Sequence, residues 1–245
     1  MDNTFFQYKE TQAQAGYKAA ILYKEQGETK YTFLCASETV PFPYGSKETF
    51  EFNLLNSPVI GQVEGKDTIE QKEVELLYTR NNAILFEKLK DRVLDFMALT
   101  PQMVGYKFSG KIAFRPNDAT NEIHRATYTI TPMDAETTPY YKAREEVLIP
   151  LFFADVIPDE ISISKLGTDA TTISINVGVK NAGSATVSYE YTTIGADNKE
   201  ATPKTIEASN GLIQLPKTAG LYVIYAKPST STTHSKCFTS VYITD

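Results

Sequence analysis

The chain has 245 residues and carries 24 Lys and Arg against 30 Asp and Glu, a formal charge of −6. With 42% apolar and 22% charged residues it has a globular composition, which excludes a disordered, collagen-like or coiled-coil chain. Two Cys, two His and no Trp leave almost no soft or imidazole ligands, and a pI near 5.1 disfavours general affinity for nucleic acid.

The start, MDNTFFQYKE, lacks the basic-then-apolar pattern of a signal peptide. The longest early apolar run, Ala19 to Tyr23, is far short of the ~20 residues that cross a bilayer. The expectation is a soluble chain made in the cytoplasm, with no membrane partner. Tyr17 to Tyr23 and Tyr31 to Cys35 read as strands around a turn at Glu25-Gln26-Gly27-Glu28. Phe50, Phe52 and Leu54 alternate with polar residues, as does the Val74, Leu76, Tyr78 series. Between them, residues 56–75 read as a long charged loop. Loops of more than ~12–15 residues are usually functional, so its Val59, Glu64, Lys66, Asp67, Glu70 and Lys72 are the candidate contact residues.

Asn81 to Ala98 places Leu85, Leu89, Val93 and Phe96 at helical spacing, with Thr100-Pro101 as the stop, so one amphipathic helix is predicted here. Strand periodicity then returns. Tyr106, Phe108, Gly110, Ile112 and Phe114 share one face, with Lys107, Ser109, Lys111 and Arg115 on the other. Ala126, Tyr128 and Ile130 repeat the pattern, and Leu148 to Phe153 is a further apolar run bent by Pro150.

Residues 1–157 hold 17 Lys and Arg and 22 Asp and Glu, a charge of −5. Residues 158–245 hold 7 and 8, a charge of −1, and are rich in Thr, Ser, Ala and Gly. The junction at Pro158 is taken as the domain boundary, because proline cannot continue a strand ladder. Seven short strands are expected beyond it: 161–165, 171–179, 186–193, 204–208, 212–215, 221–227 and 236–243. Turn signals such as Asn181-Ala182-Gly183 and Asn210-Gly211 separate them. That spacing suggests an immunoglobulin-like sandwich without the Cys–Trp–Cys core of antibody domains.

No residue pattern supplies chemistry. No G-x-S-x-G turn, phosphate loop, zinc spacing or calcium loop is present, and His124 and His234, the latter in a Ser/Thr-rich stretch, read as surface or capping residues. Acid pairs such as Glu73/Glu75 and Glu145/Glu146 imitate a glycosidase dyad, but carboxylates that alternate along a strand are more often its wet face. No catalytic residue, cofactor or metal is expected. Cys35 and Cys237 read as free thiols.

A resemblance follows from the runs Val63-Glu64-Gly65-Lys66-Asp67 and Tyr78-Thr79-Arg80-Asn81-Asn82 with the helical stripe after them. Leu99-Thr100-Pro101, Gly105 to Gly110, Arg115 to Asp118 and Tyr128 to Met133 extend it. Over roughly residues 17–155 the chain resembles the major tail, or tail tube, proteins of long-tailed non-contractile bacteriophages. Residues 158–245 resemble the immunoglobulin-like decoration domains that some of them carry. The resemblance implies a mainly β chain: a tail-tube β-sandwich domain (1–157), flanked by one helix and able to close a barrel, then an immunoglobulin-like sandwich (158–245).

It further implies six copies to a ring and rings stacked into the tail tube of a virion assembled in the host cytoplasm. The partners would be other copies of the chain, the tape measure protein, and the tail terminator and distal tail proteins. DNA would pass through the lumen without specific binding. In this picture the 56–75 segment contacts a neighbouring ring, and the second domain meets a host-surface glycan or merely decorates the tube. Two other readings compete: a two-domain adhesive module that binds surface glycans, and a hydrolase with spatially assembled acids.

Overall fold

The computed structural model describes residues 19–35, 39–53, 60–118, 124–136, 138–156, 160–162, 171–229 and 233–244. They form two compact units, which divide between Glu146 and Val147.

The first unit is built on six antiparallel strands: β1 (Ala20–Lys24), β2 (Thr32–Phe33), β5 (Lys72–Leu77), β6 (Val93–Leu99), β7 (Gly105–Pro116) and β8 (Arg125–Ala135). Their spatial order is β2-β1-β6-β7-β8-β5. One face is the core, where Ile21, Val74, Leu76, Leu94, Phe96, Phe108, Ile112, Tyr128 and Ile130 are all buried. The helix α1 (Arg80–Leu89) inserts Phe86 and Leu89 into this cluster. The Phe86 ring stacks on Phe114 at 4.7 Å and on Tyr128 at 5.3 Å between centroids. Thr79 starts the helix, its hydroxyl accepting from the Asn82 N–H at 3.1 Å, which satisfies one of the orphan donors of the first turn.

The helix is half as long as the sequence pattern predicts. Asp91, with φ 62°, turns the chain out of the helix, and residues 93–99 return as β6. In β6, Leu94, Phe96, Met97, Ala98 and Leu99 are all buried, so both faces are apolar. A strand covered on both sides carries no two-residue alternation, and the four-four-three spacing of its residues with those of α1 imitates one helical stripe. A second helix, α2 (Ala143–Glu146), is a single turn.

Residues 60–69 are also not loop. They form β4 (Ile60–Ile69), which pairs antiparallel with β3 (Tyr44–Asn53) as a separate two-stranded arm. Two glycines and the charged residues Glu64, Lys66 and Asp67 give this strand the composition of a loop. Leu54, Val59 and Pro158 lie outside the described residues, as do the side chains of Phe52, Lys66 and Asp67.

The second unit contains two sheets. One runs β10 (Phe152–Val156), β12 (Thr172–Lys180), β15 (Leu212–Pro216). The other runs β11 (Glu160–Ser162), β18 (Cys237–Thr244), β16 (Gly220–Pro228), β13 (Val187–Ile194), β14 (Lys204–Ile206). A small parallel pair, β9 (Ile149–Pro150) with β17 (His234–Ser235), completes the unit. Ile173, Ile175, Val177, Ile213 and Leu215 of the first sheet pack against Tyr222, Ile224, Val241 and Ile243 of the second. This is a β-sandwich whose inward residues alternate with outward ones. Asn210 (φ 52°) and Gly211 (φ 76°) close the turn that leads into β15, where a left-handed backbone favours this residue pair.

Candidate functional site

Three features of the first unit stand out. The first is the arm. Its base is tied to the sheet: Tyr106 meets Phe42 at 5.2 Å and Tyr44 at 5.7 Å, both edge-on, and the Tyr44 hydroxyl donates to the Glu136 carbonyl. Burial, then the neighbouring Tyr106 and Glu136, hold the Tyr44 hydroxyl above its ordinary pKa, so it stays a donor. Further out the arm exposes apolar surface. Phe50 and Val63 face each other across the ladder and are 58% and 53% exposed. Beside them the Gln62 amide donates to Glu51 at 3.0 Å.

The candidate contact residues spread along this arm rather than converging. Glu64 is exposed opposite Thr49, and Lys66 and Asp67 continue β4 toward its base. Glu70 lies in the link to β5, where its N–H donates to the Pro43 carbonyl at 3.3 Å and its carboxylate meets Lys72 Nζ at 2.8 Å. Glu70 and Lys72 are thus brought together.

The second feature is the strand β5, which ends the six-stranded sheet. Val74 and Leu76 point into the core, while Glu73, Glu75 and Leu77 are exposed on the other face. Cross-strand ion pairs dress that face: Arg115 to Glu73 at 3.8 Å and Arg125 to Glu75 at 3.7 Å. Asn117 donates to Glu75 at 3.4 Å and accepts from the Thr127 hydroxyl at 2.8 Å. The basic residues that the sequence places on this face are therefore at least partly matched by carboxylates.

The third is a polar cleft of ≈ 250 Å³ lined by Lys24, Tyr31, Asp95, Lys107, Ser109 and Glu136, among others. Lys107 lies 3.5 Å from the centre of the Tyr140 ring and 2.9 Å from Glu146, and Lys24 lies 3.6 Å from Asp95. Burial alone raises the Glu146 carboxyl, but hydrogen bonds from Tyr140 and Lys107 outweigh it and hold the group below its usual range. The same bond, with burial added, pushes the Tyr140 hydroxyl up to about 12. Lys24 and Lys107 each already have a carboxylate, and the contacts of Lys107 with Tyr140 and Glu146 form a latch that pins residues 140–146 to the sheet. Sequence reasoning missed it, because residues 107, 140 and 146 share no local pattern.

Both histidines make local polar contacts. His124 Nε2 lies 3.0 Å from the Asn117 carbonyl, with its ring against Tyr78, and His234 Nδ1 lies 2.8 Å from the Thr233 hydroxyl. Cys35 and Cys237 are free, and burial pushes both thiols up to about 12. Among the described residues no group of three or more His, Cys, Asp or Glu is placed to hold a metal ion, and no helix is long and apolar enough to cross a membrane.

No family model and no curated protein matches the chain. One solved structure to which it is similar is that of Dit from phage SPP1, described as a paradigm of the hub adsorption apparatus in phages that infect Gram-positive bacteria. Identity is 11%, over 92% of this chain and 90% of that one, with a TM-score of 0.28. A likeness that distant says nothing of a shared activity.

Proposed function

We propose that this chain is a structural subunit of a bacteriophage tail, and that it polymerises through rings into the tube of the tail. The observation that carries the reading is the first unit's combination of an anchored arm, exposing the Phe50–Val63 pair, with a sheet that ends on an open strand. Exposed apolar surface and bare strand edges are hazards to a protein that stays alone, and both disappear on assembly. The family resemblance of residues 17–155 supports the same reading. Ring closure joins sheet edges between neighbours and leaves none exposed. DNA passes through such a bore without specific contacts, and the formal charge of −6 opposes its retention. The tape measure, terminator and distal tail proteins are the further partners, the virion is the location, and the second unit decorates the outside.

Electron microscopy of the purified full chain tests this. Rings or tubes about 100 Å wide are expected, the scale of several domains of this size around a channel. A strictly monomeric protein, even when concentrated or seeded, overturns the proposal. Deletion of residues 58–70 is expected to stop polymerisation while both units remain folded.

A further inference from the structure

We infer that the free side of β5 receives the β3–β4 arm of a second copy, which extends the six-stranded sheet through backbone hydrogen bonds. This rests on the tail-subunit reading and names the place where one copy grips the next.

The connection between β4 and β5 is the first reason. Only Glu70 and Gln71 separate these strands, a length that ordinarily yields a hairpin. Yet β4 pairs with β3, and β5 pairs with β8. Among the described residues the chain therefore leaves two complementary elements unjoined: a sheet that lacks a strand at one edge, and a two-stranded ribbon that is packed on the sheet at its base but shares no ladder with it. Such a ribbon is marginal in water by itself.

The direction of the β5 backbone is the second reason. Tyr78 N–H donates to the His124 carbonyl at 3.0 Å, and this pair continues the register in which Leu77 faces Arg125. Hydrogen-bonded and non-bonded pairs alternate in an antiparallel ladder. Lys72, Val74 and Leu76 therefore direct their N–H and C=O groups to β8, whereas Glu73, Glu75 and Leu77 direct theirs away from the sheet. Among the described residues no strand takes up that outward set; within it the Leu77 carbonyl accepts from the Asn82 side-chain amide at 2.9 Å, and the groups of Glu73 and Glu75 carry the open edge.

The contrast with the other sheet ends is the third reason. Strand β2 has two residues, β11 and β14 have three each, β10 carries a register break between Phe153 and Asp155, and β15 ends in Pro216. Shortness, a bulge, proline and charged side chains are the ordinary ways to blunt an edge. With six residues, no proline and no bulge, β5 has only the charges of Lys72, Glu73 and Glu75, and these leave its backbone open to a partner strand. Leu77, 52% exposed, supplies an apolar counterpart for the Phe50–Val63 pair. Donor arm and acceptor edge are different surfaces of one chain, so the contact is head-to-tail and propagates into a ring or a filament.

Residue-resolved amide exchange of the full chain, before and after assembly, tests the inference. In the unassembled protein the amides of Lys72, Val74 and Leu76 are expected to be protected, and those of Glu73, Glu75 and Leu77 to exchange freely. On assembly the second set slows by about 100-fold or more. Mixing Val63→Cys protein with Leu77→Cys protein under oxidation is expected to yield a disulfide-linked heterodimer. Glu75→Pro removes an outward N–H while leaving the β8 ladder in place, and gives a folded chain that does not assemble; should that variant unfold, exchange and cross-linking decide.

Assembled particles in which Glu73, Glu75 and Leu77 exchange at monomer rates overturn this inference and leave the tail-subunit reading standing. So does a dimer formed by Leu77→Cys protein alone, which would mean edge-to-edge pairing of two β5 strands. A chain that never forms rings or tubes overturns both.

Discussion

In the second unit each sheet ends on strands too short, bulged or proline-capped to recruit a partner, and the apolar residues of one sheet are covered by the other. Ile173, Ile175 and Val177 meet Tyr222, Ile224 and Val241 without help from outside. The first unit differs at both points. Its core closes under α1, but among the described residues its sheet stops at β5 with no strand on the outer side, and its arm exposes Phe50 and Val63. Two regions of similar strand content thus differ in how completely they satisfy themselves. The self-contained one suits a domain that hangs outside an assembly, and the incomplete one suits a domain from which the assembly is made.

Three measurements break or sharpen this comparison, beginning with the largest effect. Phe86→Ala removes a ring stacked on both Phe114 and Tyr128 and is expected to cost about 3–5 kcal/mol. Ile175→Ala, in the core of the sandwich, is expected to cost about 2–5 kcal/mol. In scanning calorimetry each variant should lower one transition and leave the other in place; a single transition that moves with either mutation would show that the units do not unfold independently.

Acid comes next. The Glu146 carboxyl, held low by Tyr140 and Lys107 against the opposing effect of burial, has a folded pKa beneath its unfolded value. Its stabilisation is therefore complete above the unfolded value of ~4.3 and is lost as the pH falls through the folded one. The transition of the first unit should drop on acidification below about pH 4, and Glu146→Gln should make that drop shallower. An unchanged slope in the variant would show that the latch contributes no pH dependence. The smallest effect is at the helix start. Thr79→Ala leaves the Asn82 N–H without its cap and should destabilise the first unit by about 1 kcal/mol, while Thr79→Ser retains most of the stability.

Much of the fold was legible because most strands have one wet face. In β7 buried Phe108, Gly110 and Ile112 alternate with the more exposed Lys107, Ser109, Lys111 and Ala113, as the two-residue period of the sequence requires, and Ile173, Ile175 and Val177 do the same in β12. The candidate site was legible only in part. The sequence marked residues 56–75 as unusual from their charge, but took β4 for a loop, since a strand wet on both faces shows no alternation. It extended the helix across β6 for the opposite reason, since a strand dry on both faces shows none either.

Local sequence thus determined where most strands begin and end and which residues face the cores. Tertiary structure alone decided that β4 turns to β3 rather than to β5, that β5 (Lys72–Leu77) finds β8 (Arg125–Ala135) across α1 and two other strands, and that Lys107 meets Glu146. Side-chain periodicity is a property of one segment and its own two faces. Strand partnership is a property of two distant segments, settled by which pairing buries more apolar surface and satisfies more backbone groups at once.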